Sequence, residues 1–73
     1  MAKCNISNVI RRLRFENDEM TQKQLAETVG ATRQTIIAIE KAHYAPSLEL
    51  AFLIARTFDV PLEEVFTYEN AQA

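Results

Sequence analysis

Apolar positions along the chain recur at helical spacing and never in the strict alternation of a half-buried strand. Val9, Ile10 and Leu13 form a short inner stripe, predicting a first helix from about Ser7 to Asn17. Arg11, Arg12 and Arg14 crowd the same stretch, and polar Asn17-Asp18-Glu19 reads as a connection. Thr21-Gln22-Lys23-Gln24 fits the reciprocal capping pattern of a hydroxyl residue followed three places later by Gln or Glu, so a second helix starts at Thr21. Met20 and Leu25 are placed to clasp across that cap, and Leu25, Ala26 and Val29 give the buried stripe. Gly30 stops the helix, because glycine enters the left-handed conformation at a helix end without steric cost.

Thr32 caps a third helix that runs to about Lys41. At about 100° per residue, Ile36, Ile39 and Glu40 share one side, whereas Gln34, Ile37, Ala38 and Lys41 share the other. Arg33 stands on the flank of the first turn. Ala45-Pro46-Ser47 forms a turn and cap for a fourth helix, about Leu48 to Phe58, with Ala51, Ile54, Ala55 and Phe58 inward. Asp59-Val60-Pro61 breaks it, and Pro61 opens a short fifth helix through Phe66. Thr67–Ala73 is polar and expected to fray. The expected fold is all-α: one compact five-helix domain over residues 1–73, with its core at about 6–66.

Net charge is −2, yet its distribution is uneven. Residues 1–35 hold six basic and four acidic side chains, and residues 36–73 hold two and six. Polyanion binding needs local positive charge only, so the basic half remains a candidate for phosphate. A single cysteine, Cys4, excludes an intrachain disulfide and a cysteine-based zinc site, and is expected to be an inert thiol. A single histidine, His43, with no cysteine near it argues against a metal centre or catalytic base. No enzyme, cofactor, metal or small-molecule effector is expected. The first residues lack the apolar run of a signal peptide, and no stretch reaches membrane-spanning length, so the expected location is the cytoplasm.

The chemistry that stands out is at the front of the third helix. Arginine forks onto guanine O6 and N7, and glutamine onto adenine N6 and N7, each good pair discriminating by about 1–3 kcal/mol. Any exposed helix could hold Arg33, Gln34 and Thr35; their place after a capped helix and Gly30 is what makes a major-groove reader of them. Gln22 and Thr32 stand at helix N-termini, where side-chain donors and free amides together grip phosphate. Lys41, His43 and Tyr44 follow the third helix, within reach of the next phosphates or in an ordinary solvated loop. Glu40 on the inner side needs a partner, for which a first-helix arginine is the natural candidate. Phe52 and Leu53 fall outside the inner face of the fourth helix, and together with Val65, Phe66 and Tyr68 they suggest a protein–protein surface.

Thr21-Gln22, Leu25-Ala26, Val29-Gly30, Thr32-Arg33-Gln34-Thr35-Ile36, Ile39-Glu40 and Pro46-Ser47-Leu48 resemble the phage repressor and Cro-like, or Xre-type, helix-turn-helix family. More narrowly, the chain is similar to the short regulators of that family that consist of the DNA-binding domain alone. The resemblance implies a third helix in the major groove of double-stranded DNA, with Arg33, Gln34 and Ala38 facing bases, beside Thr35 and Ile37. Gln22, Thr32, Lys41, His43 and Tyr44 would then lie at the backbone, and Arg14 would pair with Glu40. It also implies a homodimer formed through the C-terminal region and a role as transcriptional regulator, with a repressor expected; the alternative is an antitoxin-like module whose main partner is a protein. Three departures stand out: a first connection one residue longer than usual and without glycine, Ala42 where glycine commonly ends the third helix, and Leu53 at a usually polar position.

Overall fold

The computed structural model describes residues 5–69. Its elements follow in the order β1 (Ile6–Asn8), α1 (Ile10–Glu16), α2 (Gln22–Val29), α3 (Arg33–Glu40), α4 (Leu48–Thr57), α5 (Leu62–Val65) and β2 (Phe66–Tyr68). The five helices occupy the expected places; Cys4 and residues 70–73 lie outside the described residues.

The domain is mostly helical with five helices, as expected, and two three-residue strands add a small sheet that the sequence pattern does not predict. They pair antiparallel, Ile6 opposite Tyr68, Ser7 opposite Thr67 and Asn8 opposite Phe66. The Val9 amide donates to the Val65 carbonyl at 3.0 Å and the Glu69 amide to the Asn5 carbonyl at 2.6 Å, so the pairing extends past both strands. Three residues are too few to show alternation, and the partners lie at opposite ends of the sequence. Helix α1 therefore starts at Ile10 and not at Ser7, and Thr67 and Tyr68 are strand residues. Asn8 makes the junction: its Oδ1 accepts from the Ile10 amide at 3.2 Å, an otherwise unpaired donor at the helix start.

The core is built from Ile10 of α1, Leu25, Ala26 and Val29 of α2, Ile36 and Ile39 of α3, Ile54 and Ala55 of α4, and Val65 of α5. Each large aliphatic side chain among them contributes about 1.5–3 kcal/mol by leaving water. Met20, Leu13, Phe58 and Phe66 pack around the edge. Among the described residues no buried side-chain polar atom lacks a hydrogen-bond partner. None of the described helices is long and apolar enough to cross a membrane.

Val65 corrects an expectation. It is 1% exposed and belongs to the core, not to a partner surface. The short α5 turns Glu63 and Glu64 to solvent, which leaves Leu62 and Val65, three residues apart, to face α4. Phe66 is half-buried against the core, where it helps to line a small apolar pocket of about 260 Å³ with Ile6, Pro46, Leu48, Ala51 and Leu62. Phe52, Leu53 and Tyr68 are exposed.

Candidate nucleic-acid interface

Helices α2 and α3 are set by local chemistry at each end. Thr21 Oγ1 accepts from the Gln24 amide at 3.0 Å, while Gln24 Oε1 accepts from the Thr21 amide at 2.8 Å, completing the capping box. Gly30 ends α2 at φ 75°, and the Ala31 amide donates back to the Ala26 carbonyl at 2.9 Å. A Cβ on Gly30 would meet nothing within 4 Å, so the glycine is needed for its backbone angle alone. Thr32 then caps α3, its Oγ1 accepting from the Thr35 amide at 3.2 Å and lying 2.9 Å from the Thr35 hydroxyl.

The C-terminal end of α3 is anchored to the rest of the domain by a polar network. Arg14 donates through Nε to Glu40 Oε2 at 2.6 Å and through Nη2 to Glu40 Oε1 at 3.1 Å. The two side chains are 14% and 9% exposed, so a two-pronged pair is held largely out of water. Arg14 Nη1 also donates to the Met20 carbonyl at 2.9 Å, and the Met20 amide donates to the Arg14 carbonyl at 2.8 Å. One arginine thus fixes the start of α2 and the end of α3 together. Asn8 adds a second tie, its Nδ2 donating to the Ile39 carbonyl at 2.8 Å.

The two glycine-free departures have a structural reading. In the first connection Asp18 and Glu19 adopt φ of 59° and 53°, and the Arg14–Met20 bonds hold the turn closed. Ala42 adopts φ 60°, the angle glycine would supply, with the His43 amide donating to the Ala38 carbonyl at 3.0 Å.

A groove of about 810 Å³ opens where α1, the start of α2 and α3 meet. Arg33, Ile37 and Lys41 form its α3 wall, and Gln22 lies opposite with Thr21 and Lys23. Gln34, Thr35 and Ala38 are outside that groove, on the rest of the α3 surface; Arg33 and Gln34 are exposed, while Thr35, Ile37 and Ala38 are half-buried. Thr32, His43 and Tyr44 are exposed at the two ends of the helix. Gln22 is more constrained than a free phosphate donor, since its Nε2 donates to Glu40 Oε1 at 3.2 Å. The groove also collects two cations that sequence reasoning missed, Arg11 and Lys23. Arg11 was legible only as one member of an arginine-rich turn, because which of the three faces the third helix depends on how α1 packs. With Arg14 and Glu40 paired, Arg11, Lys23, Arg33 and Lys41 outweigh Glu19, so an acidic chain presents a locally basic groove.

This capped helix, glycine turn and second capped helix have their counterpart among known proteins: the profile of the helix-turn-helix family matches residues 10–65. The chain belongs to that family. This helix-turn-helix protein is 57% identical over 51 residues to an uncharacterized HTH-type transcriptional regulator of Methanocaldococcus jannaschii, covering 70% of this chain and 77% of that one. A Bacillus subtilis regulator of the same description is 53% identical over 50 residues, 68% of this chain and 76% of the relative. The cryptic phage CTXphi transcriptional repressor of Vibrio cholerae is 36% identical over 59 residues, which is 81% of this chain and 52% of the repressor. A crystal structure from Bacteroides fragilis superposes with a TM-score of 0.72 at 22% identity, covering 85% of this chain and 98% of that one, and shows the same fold. The family places this helix-turn-helix protein among DNA-binding transcriptional regulators.

Proposed function

We propose that this helix-turn-helix protein is a sequence-specific repressor that binds double-stranded DNA as a homodimer and acts by occluding its site. The observation that carries the reading is the fixed α3: capped by Thr32, tied to α1 through Arg14–Glu40, and flanked by a basic groove. A recognition helix needs that rigidity, because base readout depends on side chains held in register with base edges. Arg33 and Gln34 are assigned to bases, with Thr35, Ile37 and Ala38 packing beside them. Thr32, Lys41, His43, Tyr44 and the remaining amide proton of Gln22 are assigned to the backbone. The similarity to a phage transcriptional repressor supports the sign of regulation.

Selection of bound sequences from a random duplex pool at near-physiological salt tests the reading, since non-specific binding is weak there. The expected product is an inverted repeat with half-sites about one helical turn apart. An unenriched pool from folded protein overturns it. That result would favour an antitoxin-like interaction module, for which the exposed Phe52 and Leu53 are the supporting observation.

A further inference from the structure

Helix α4 exposes Leu48, Glu49, Phe52, Leu53 and Arg56. At about 100° per residue, Glu49 and Arg56 lie within about 20° of each other, along the middle of the outward side. Phe52 and Leu53 flank that line, 48% and 40% exposed. None of these residues lines the basic groove. Among the described residues, neither Glu49 nor Arg56 forms an ion pair; the pairs present are Arg12–Glu16 and Arg14–Glu40.

The arrangement is symmetric about a point midway between Phe52 and Leu53. A second α4 laid antiparallel, on a two-fold axis through that point, brings Glu49 opposite the second copy's Arg56 and Arg56 opposite its Glu49. Phe52 and Leu53 then meet Leu53 and Phe52. A parallel arrangement would set like charges together, so charge selects the direction as well as the partner. Such self-complementarity is what a two-fold interface requires of one patch. The helix macrodipole alone favours an acid in the first turn and a base in the last, but it gives no reason for two large apolar side chains in water between them. The apolar area also continues to Leu48, one turn before Phe52, at the small pocket lined by Phe66.

We propose that α4 is the self-recognition surface of this protein, two copies pairing through antiparallel α4 helices with reciprocal Glu49–Arg56 contacts across a Phe52–Leu53 centre. This rests on the homodimer reading above and names the interface that would build it. The test is sedimentation equilibrium over a concentration series for wild type, Glu49→Arg, Arg56→Glu, the double reversal, and an equimolar mixture of the two singles. Circular dichroism melts of each variant check that these exposed positions leave the fold intact. Wild type is expected to dimerise, and each single reversal to raise the dissociation constant about tenfold or more. The double reversal, and the mixture, should return to within about threefold of wild type, because both restore opposite charges at both contacts. A wild-type monomer at every concentration overturns the homodimer itself. A wild-type dimer indifferent to the single reversals overturns the α4 interface and leaves the homodimer standing. Weakening by both singles without recovery in the double or the mixture overturns the reciprocal pairing.

Discussion

Helices α3 and α4 are built by the same local rules and end up with opposite surfaces. Each begins at a hydroxyl cap, Thr32 or Ser47, whose oxygen accepts an amide three residues on. Both end on a left-handed residue that is not glycine, Ala42 or Asp59, with the following amide reaching back to the Ala38 or Ala55 carbonyl. Either helix buries an aliphatic stripe, Ile36 and Ile39 in one, Ala51, Ile54 and Ala55 in the other. What differs is the remainder. The inner side of α3 includes a carboxylate, and the exposed residues of its outer side, Arg33, Gln34 and Lys41, are polar or cationic, with Ile37 and Ala38 half-buried between them. The inner side of α4 is apolar throughout, and large apolar side chains are exposed on its outer side too. The lesson is that capping and periodicity specify that a helix forms and which stripe it buries, while the outward residues, free of that constraint, are where function is written.

The largest effect expected is from breaking the one feature of α3 that α4 lacks. Glu40→Ala removes the partner of Arg14 and leaves a largely buried guanidinium unpaired, which should destabilise the fold by about 3 kcal/mol. Because Glu40 also receives a bond from Gln22, the same change frees the start of α2. Urea denaturation of the variant checks this, and an unchanged midpoint would mean the pair contributes no net stability. The base preference of whatever protein remains folded should be that of wild type, since Glu40 faces inward.

A smaller effect separates the two outer faces. Arg33→Ala should cost about 1–3 kcal/mol in specific binding and relax selection at one base position, with no change in melting temperature. Lys23→Ala, on the opposite wall of the groove, should weaken specific and random duplexes alike and lower the salt slope by about one. Fluorescence anisotropy titrations at several salt concentrations distinguish the two patterns. If Arg33→Ala behaved like Lys23→Ala, Arg33 would be a phosphate contact and base reading would fall to Gln34 and its neighbours.

The parts of this fold that could be read from the sequence are those whose cause lies within one helical turn. The Thr21–Gln24 box, the Thr32 and Ser47 caps, the Gly30 stop and the isoleucine stripe of α3 each need only residues three or four apart. The β1–β2 pair was not legible, because its partners lie at opposite ends of the sequence and no local pattern joins them. Val65 was misread by grouping it with its apolar neighbours, when the outward Glu63 and Glu64 already turned it inward. Arg11 and Lys23 shared that obscurity, since joining them in one groove depends on the packing of α1 against the start of α2.

The smallest expected effect concerns the helix ends. Gly30, Ala42 and Asp59 occupy the same left-handed position, at φ 75°, 60° and 57°, each followed by an amide that bonds back into the helix. Glycine adopts that angle freely, and aspartate visits it with help from its short polar side chain, but alanine meets a steric penalty of about 1–2 kcal/mol. Ala42→Gly removes that penalty and returns part of it as extra freedom of the unfolded chain, so the net gain should be about 0.5–1 kcal/mol. For a domain of this size that raises the melting temperature by about 2–8 °C. Gly30→Ala is the mirror experiment: no atom obstructs the new methyl, so any loss is due to the backbone angle alone. Calorimetry of the two variants should give shifts of opposite sign. Two losses would mean that Ala42 is held by packing that glycine gives up, and that the end of α3, unlike the end of α2, is fixed by its surroundings and not by its own backbone.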